Sequence, residues 1–504
     1  MRVLLDTNVL IHREANAVVR QDIGKVFFWL DKLKHDKCVH PVSLVEIAKH
    51  KDERIRATFQ AKLQAYQVLK TTAPLASEMK QFSNTDLKEN DKNDTLILNE
   101  VLSNRVDILI SEDRGIHAKA ALLNIADLVF TFDSFLEKVT AENPDQIDYR
   151  VLAVKKTVCG AVDVHTEFFD SFRQDYGGGA FDRWFARKSD ETAYVCYEGA
   201  SLVAFLYLKV EGLEENYGDV EPRFTPKHRL KIGTFKVEMN GYKLGERFLK
   251  IIFDNALRQN VEEIYVTIFQ KTLGQQRLVK ILEDFGFTQH GWKTSAHGSE
   301  AVYVRSMART FDAEHPALTF PYISVSARAF LTPIYPEYHT SLLPDSILRT
   351  ESPANFVEQE PHRNAIRKVY VSRSVFRDLQ IGDAIVFYRT GGYYKSVVTT
   401  VGVVEDVHRN IRDEAHFISL CRKRSVFTDK ELMEQWRYRS GDRPFIVGFL
   451  YSQSFLRRPT MKELIENGVI RDVHSAPRGF EPITKDQFKT ILRLAKADAR
   501  SFVH

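Results

Sequence analysis

Apolar residues along this chain change period three times. The first stretch opens on Val3–Leu5, a short apolar run that stops at Asp6. It continues with helix-like Val42–His50, Asp94–Leu102 and strand-like Val106–Ile110 and Asp127–Phe132. Strands alternating with helices predict a parallel α/β sheet. The second stretch predicts a hairpin, Ala193–Cys196 and Ser201–Val210 about the turn Tyr197-Glu198-Gly199. Strand Leu230–Glu238, helix Gly245–Leu257, strand Ile264–Ile268, helix Arg277–Asp284 and strand Ala301–Arg305 follow. In Gly245–Leu257 the residues Phe248, Leu249, Ile252 and Ala256 fall on one helical face. The third stretch, beyond a linker at Ala313–Leu318, carries short strands at Val369–Ser372, Ala384–Arg389, Ser396–Val404 and Phe445–Phe449. It predicts a small β-barrel decorated by helices. The expected domains are 1–140, 149–308 and 319–504.

Composition changes this picture little. The 504 residues, 44% hydrophobic and 27% charged, exclude a largely disordered chain and a small disulfide scaffold. No apolar run has the length of a membrane span, and the start reads as lacking a signal peptide. Cys38, Cys159, Cys196 and Cys421 show no metal-ligand spacing, so they read as reduced thiols in a cytoplasmic protein. The net charge of +4 permits a nucleic-acid partner without arguing for one.

Four acids stand at special places. Asp6 ends a strand, Glu46 lies on a helix, Asp94 opens one, and Asp113 follows the Val106–Ile110 strand. Strand ends line the ligand crevice of a parallel sheet, which puts Asp6 and Asp113 on one rim. Singly, each has an ordinary reading: Asp6 as a cap, Glu46 as a solvated helix residue, Asp94 as a dipole-favoured helix start. Together they repel, and a hard divalent cation resolves that repulsion.

Leu4-Leu5-Asp6-Thr7-Asn8-Val9-Leu10, with Val45-Glu46-Ile47, Asp94-Thr95-Leu96-Ile97-Leu98 and Ile110-Ser111-Glu112-Asp113-Arg114, resembles the PIN-domain nucleases. The resemblance implies a Mg²⁺ or Mn²⁺ site of Asp6, Glu46, Asp94 and Asp113 and RNA hydrolysis by metal-activated water. Asp91 competes for the third position and Glu112 for the fourth. A toxin with an antitoxin partner is a further implication.

In the second stretch, strand Leu230–Glu238 runs into Met239-Asn240-Gly241-Tyr242-Lys243-Leu244-Gly245 and then a helix. A strand, a glycine turn and a helix start make an anion site. Gly241 has an ordinary reading as a turn, and Gly245 as a close-packing residue. This order, with Gly286-Phe287 downstream, resembles the GNAT acetyltransferases. The resemblance implies that Asn240, Gly241, Tyr242, Lys243, Leu244 and Gly245 cradle the pyrophosphate of acetyl-CoA. Lys243 stands where the family has a glycine, and Leu282 where it often has a proton-donating Tyr. Glu238 is a general base through water or a strand-end surface acid.

In the third stretch, Leu379-Gln380-Ile381-Gly382-Asp383-Ala384 into an apolar strand, and the ending Arg478-Gly479-Phe480, resemble PUA-like domains of the ASCH and EVE type. That implies RNA binding. Arg422, Lys423, Arg424, Trp436, Arg437, Tyr438 and Arg439 mix cations with aromatics, as phosphate contact and base stacking require. Interspersed acids also fit a solvated charged face. The fold expected is therefore multidomain α/β: a parallel-sheet PIN fold, an α+β GNAT-like fold and a PUA-like barrel. The function expected is a metal-dependent endoribonuclease acting on RNA, with tRNA one candidate. The alternatives are an acetyltransferase of protein or RNA-linked amines and a non-catalytic RNA-binding adaptor. No membrane partner is expected.

Overall fold

The computed structural model describes residues 1–15, 21–49, 63–82, 88–142, 154–238, 243–346, 361–391, 396–439 and 441–504, with Arg56, Phe59 and Asp86 between them. The chain forms two compact units, Met1–Ile147 and Asp148–His504.

In the first unit, β1 (Arg2–Leu5), β2 (Asp36–Val39), β3 (Gln67–Val68), β4 (Ile108–Ile110) and β5 (Val129–Phe130) form a parallel sheet in the order β3-β2-β1-β4-β5. Strand β1 is central. Val3, Leu4 and Leu5 are all buried, as a strand covered on both faces must be. Val3 and Leu5 meet α1 (Thr7–Ala15), α2 (Gln21–Lys32) and a later helix, Phe132–Glu142. Leu4 faces the other way, into the core of Glu89–Leu102 and Arg114–Leu122. We number Pro41–Ala48, Glu89–Leu102, Arg114–Leu122 and Phe132–Glu142 as α3 to α6. Helix α4 begins five residues before Asp94, which corrects the expected helix start. The run Glu89-Asn90-Asp91-Lys92-Asn93 has no apolar period to reveal it, but Glu89 and Asp91 suit the positive end of the helix dipole.

The second unit begins with a sheet of β6 (Lys155–Val158), β7 (Thr192–Glu198), β8 (Ser201–Glu211), β9 (Val220–Glu221), β10 (Arg229–Val237), β11 (Glu263–Ile268), β12 (Thr288–Ser295) and β13 (Gly298–Ser306). Its order is β6-β7-β8-β10-β11-β13-β12-β9. The hairpin β7–β8 and helix α9 (Leu244–Gln259) stand where the apolar periods place them, and α10 (Leu273–Asp284) begins four residues before the expected Arg277, capped by Thr272. Helices α9 and α10 cover the face that presents Leu230, Ile232, Ile264 and Val266. On the opposite face, α7 (Asp170–Tyr176) and α8 (Gly178–Ala186) pack Phe169, Phe181 and Phe185 against Val195, Phe205 and Tyr207.

Strands β10 and β11 pair in parallel only over Arg229–Ile232 and Glu263–Val266. Beyond that point β10 follows β8 to Val237, and β11 follows β13 to Ile268. The two neighbours therefore diverge. The register of β10 against β8 shifts between Ile232 and Thr234. Gly233 sits in the shift, where a Cβ would lie 2.6 Å from the ring of Tyr207, so only glycine fits the bend.

The remaining strands are β14 (Ile323–Ser324), β15 (Ala329–Ile334), β16 (Arg367–Ser372), β17 (Ala384–Arg389), β18 (Val397–His408), β19 (Phe445–Ser454), β20 (Glu481–Ile483) and β21 (Phe502–Val503). Six of them make a sheet in the order β16-β19-β18-β17-β15-β20. It is a curled half-barrel rather than a closed barrel. Its two edges meet through side chains, with the ring of Tyr370 on β16 5.5 Å from that of Phe480 beside β20. Helices α11 (Pro336–Leu342), α12 (Pro361–Asn364), α13 (Glu414–Cys421), α14 (Asp429–Arg437), α15 (Met461–Glu466) and α16 (Lys485–Leu494) surround it.

The Ala313–Leu318 stretch is packed rather than open. Pro316 and Ala317 are buried, and Gly286, at φ +80°, lies so close to the Leu318 carbonyl that a Cβ would be 2.3 Å from it. Phe320, Tyr322, Ile366 and Leu450 enter the same apolar core as α9 and α10. Polar contacts reinforce this. Glu246 accepts from the amides of Ile366 and Arg367 at 2.9 and 3.0 Å, Arg247 grips Asp345 through two hydrogen bonds of 2.8 and 2.9 Å, and Lys250 donates to the Ser452 carbonyl. Burial works against the charge of Asp345, and the Arg247 guanidinium nevertheless holds its carboxyl well below the usual range. Among the described residues no helix is long and apolar enough to cross a membrane.

Candidate functional site

In the first unit the four acids gather at the carboxyl edge of the sheet. Asp6 follows β1 and is 2% exposed. Its Oδ2 accepts from Ser111 Oγ at 2.8 Å, and Ser111 Oγ in turn accepts from the Asp113 amide at 3.0 Å. Glu46, on α3, accepts from Thr7 Oγ1 and, at 2.7 Å, from Asn93 Nδ2. Asp94 lies in the second turn of α4. Asp113 caps α5, with Oδ1 taking the amides of Gly115 and Ile116. Glu112 does not compete with it, because its carboxylate is turned to the Phe132 amide at the start of α6.

Burial pushes the Asp6 carboxyl up to about 6, and the charges of Asp113 and Glu46 add to the rise against the Ser111 hydrogen bond. Burial, then Asp6 and Asp113, push Asp94 up to about 7. The four groups thus feel one another. Sequence reasoning missed Lys119, which lies near Asp94 and is held by Asp86 at 2.8 Å, Thr95 Oγ1 and the Asp91 carbonyl, both at 2.7 Å. Its signal was its place on the inner side of α5, one turn before the end. The donors are hard oxygens of the kind Mg²⁺ and Mn²⁺ take. Yet among the described residues no three His, Cys, Asp or Glu side chains stand close enough to enclose an ion.

This crowding has a measurable consequence. The Asp6 shift from 3.8 to about 6 means that keeping it charged costs the fold up to roughly 3 kcal/mol above pH 6. The raised carboxyl carries no such cost below pH 3.8, where it is protonated folded and unfolded alike. Asp6→Asn is therefore expected to melt higher than the parent at pH 7 in chelator, with the gain shrinking to nothing as the pH falls from 6 to 4. Melting curves across that range check it; an equal gain at every pH would contradict it.

In the second unit, α9 starts beside the divergence of β10 and β11. Its N-cap, Lys243, has a left-handed backbone and makes no side-chain cap hydrogen bond. Lys243 Nζ lies 3.8 Å from the buried Glu246 carboxylate. Gly245 is the second helical residue and Leu244 the first. Asn240, Gly241 and Tyr242 lie outside the described residues. Glu238 follows β10, with its amide on the Val203 carbonyl and its carboxylate 2.7 Å from Lys236 Nζ. Lys236 reaches the Phe168 carbonyl beside α7, which sets Lys236, and with it Glu238, on the face that α7 and α8 cover. Leu282 is fully buried in the α9–α10 core.

The aromatic and cationic mixture of the third stretch separates on inspection. Trp436 is buried in a core with Phe417, their rings 5.3 Å apart, so its indole is not available to stack on a base. Arg437 pairs with Glu414, Arg422 with Asp429 at 3.5 Å, and Arg424 approaches Glu246 at 3.9 Å. Asp383 of the Gly-Asp turn is clamped by Arg328 at 2.9 and 2.7 Å. The alternating charges of α14 signalled this pairing in the sequence.

No protein-family profile and no curated protein matches the chain. Solved structures align with parts of it. A mutant ASCH protein of Zymomonas mobilis is 12% identical over 34% of this chain and 97% of its own, with a TM-score of 0.24. An N-acetyltransferase of Staphylococcus aureus Mu50 is 14% identical over 31% and 98%, with a TM-score of 0.24. The VapBC2 complex of Rickettsia felis, bound to a DNA fragment from its promoter, is 14% identical over 26% and 98%, with a TM-score of 0.20.

Proposed function

We propose that the chain transfers an acetyl group from acetyl-CoA to an amine. The divergence of β10 from β11 beside the start of α9 carries this reading. Two strands that part after Ile232 and Val266 leave backbone groups for an extended ligand between them. The first-turn amides of α9, with Lys243, suit a pyrophosphate at one end of that ligand. Acetyl-CoA supplies the acetyl group as a reactive thioester. The acceptor enters from the face of α7 and α8, where Glu238 takes the proton that the amine gives up, through a water. Buried Leu282 carries no proton, so solvent protonates the leaving thiolate in this reading. Protein amines and RNA-linked amines, tRNA among them, are the acceptor classes. Calorimetry of the full chain with acetyl-CoA, followed by mass spectrometry of an amine panel, tests the reading. No binding at millimolar acetyl-CoA would end it.

A second reading concerns Met1–Ile147. Ser111 links the Asp6 carboxylate to the Asp113 amide, Glu46 accepts from Thr7 and Asn93, and Asp94 feels the charges of Asp6 and Asp113. No three of these acids stand close enough to enclose an ion as they lie, but four acids near one rim are the oxygens that RNA hydrolysis with Mg²⁺ or Mn²⁺ would use, and an antitoxin would be the partner. Millimolar Mn²⁺ should then raise the melting temperature of the parent and leave that of Asp6→Asn unmoved. Equal responses, or no cleavage of total RNA with either cation, would remove this reading.

A further inference from the structure

Three deeply buried glutamates in the second unit, Glu211, Glu246 and Glu300, differ in how their charge is met. Glu211, 2% exposed, accepts from Tyr265 and Tyr217 and has Lys209 at 3.0 Å and Lys231 at 3.9 Å. Glu246, 7% exposed, has two backbone amides with Lys243 and Arg424. Glu300, 3% exposed, makes no ion pair among the described residues. Its hydrogen bonds come from Tyr176 and, at 3.0 Å, from Thr267, and both fall on Oε1. The neighbouring cations are engaged elsewhere: Lys293, its cross-strand partner on β12, pairs with Asp219 at 3.2 Å, and Lys271 is held by Asp175 at 3.3 Å and sits over the Phe269 ring. A buried carboxylate without a counter-ion is costly, and it persists where a ligand completes it.

The position of Glu300 says which ligand. On β11, Val266 is the last residue paired with β10, and Thr267 is the first beyond the divergence. On β13, Glu300 precedes Ala301, the partner of Ile268. Glu300 and Thr267 therefore lie past the parting of the strands. Both meet the tip of α7 through Tyr176 or through each other, on the face where Lys236 and Glu238 also lie. The Tyr176 ring stands 5.4 Å from that of Phe269. A carboxylate beside aromatic rings is the usual way to hold an organic cation. Burial, then the charge of Glu300, raises the Tyr176 phenol, so it stays a donor.

Resting on the acetyltransferase reading, we propose that Glu300, with Tyr176 and Phe269, seats the ammonium group of the acceptor before transfer. The substrate class is a primary amine that arrives protonated, not a neutral hydroxyl or arylamine. The ammonium supplies the counter-charge that Glu300 lacks, and Tyr176 and Thr267 hold the carboxylate by one oxygen and leave Oε2 to the cation. The ammonium gives one proton to Glu238 through a water before its nitrogen attacks the thioester carbonyl; the second nitrogen proton passes to water as the C–S bond breaks, and the thiolate takes a proton from solvent.

The test uses the full chain, acetyl-CoA, and putrescine, tryptamine and a tripeptide with a free N-terminus as acceptors. Glu300→Gln should raise KM for the three ammonium acceptors by roughly 30-fold or more, since truncating a buried charged partner costs that much. The calorimetric affinity for acetyl-CoA should hardly move, which a general loss of structure would not produce. A measurement without a variant stands beside it. The N,N,N-trimethyl form of the best acceptor, which cannot attack, should compete with the amine and not with acetyl-CoA. An unchanged amine KM in Glu300→Gln, or no competition by the trimethyl compound, overturns the ammonium seat while the acetyltransferase reading stands. So does a parent that binds acetyl-CoA and acetylates none of the three amines. A parent that binds no acetyl-CoA removes both.

Discussion

Gly245→Glu is expected to abolish acetyl-CoA binding in calorimetry while the chain stays folded. Among the described residues a Cβ at Gly245 meets only the Ile281 Cδ1 methyl, at 3.3 Å, the movable end of a flexible side chain. An acid in the first turn also suits the helix dipole, so α9 should keep its start. The same carboxylate fills the positive potential that a pyrophosphate needs and repels it. Glu246 offers no precedent against this, because its carboxylate is already taken by the Ile366 and Arg367 amides. Like charges set together at a binding surface cost several kcal/mol, or a loss of more than about a hundredfold in affinity. Gly245→Ala adds only the methyl and should bind almost as the parent does. Binding by the Glu variant at parental strength would show that the ligand lies elsewhere.

The second large effect is on stability. Phe253 is fully buried, with its ring 6.4 Å from Phe285, 6.3 Å from Phe287 and 5.3 Å from Phe320. Phe253→Ala leaves a cavity among three other rings and should cost about 3–5 kcal/mol. Because Phe320 lies beyond the Ala313–Leu318 stretch, the loss should fall on both sides of it together. Trp292 and Trp436 lie on opposite sides of the stretch, so chains keeping one tryptophan of that pair can report each side. Guanidinium titration should give one common midpoint for both, lowered equally by Phe253→Ala. Two separate midpoints would contradict a single cooperative unit.

Strands and helices with a clean apolar period were legible in the sequence: β1, the β7–β8 hairpin and α9 stand where the pattern puts them. The places of Asp6 and Asp113 on the rim of the first sheet were legible too, because Asp6 directly follows one apolar strand and Asp113 comes three residues after the end of another. The start of α4 was not, since its first turn is held by charge and has no apolar face. Nor was the packing across Ala313–Leu318, because a proline and two small residues look alike in a linker and in a core. Trp436 shows the same limit from the other side. A tryptophan beside an arginine has one composition whether its ring faces solvent or Phe417. Glu300 carried no local signal at all, since only the fold shows that Lys293 opposite it is taken by Asp219.

The four cysteines are all buried and none is in a disulfide. Burial, with a nearby acid, pushes the thiol of Cys159 up to about 11 and raises that of Cys421 further. Thiolate is the reactive form, so the folded chain is chemically quiet toward alkylating reagents. Each cysteine is also a clock for its own surroundings: Cys38 for the first sheet, Cys159 and Cys196 for the β6–β8 region, Cys421 for α13. The rate at which a maleimide finds each of them measures how often that region opens, site by site, in a chain carrying no engineered label.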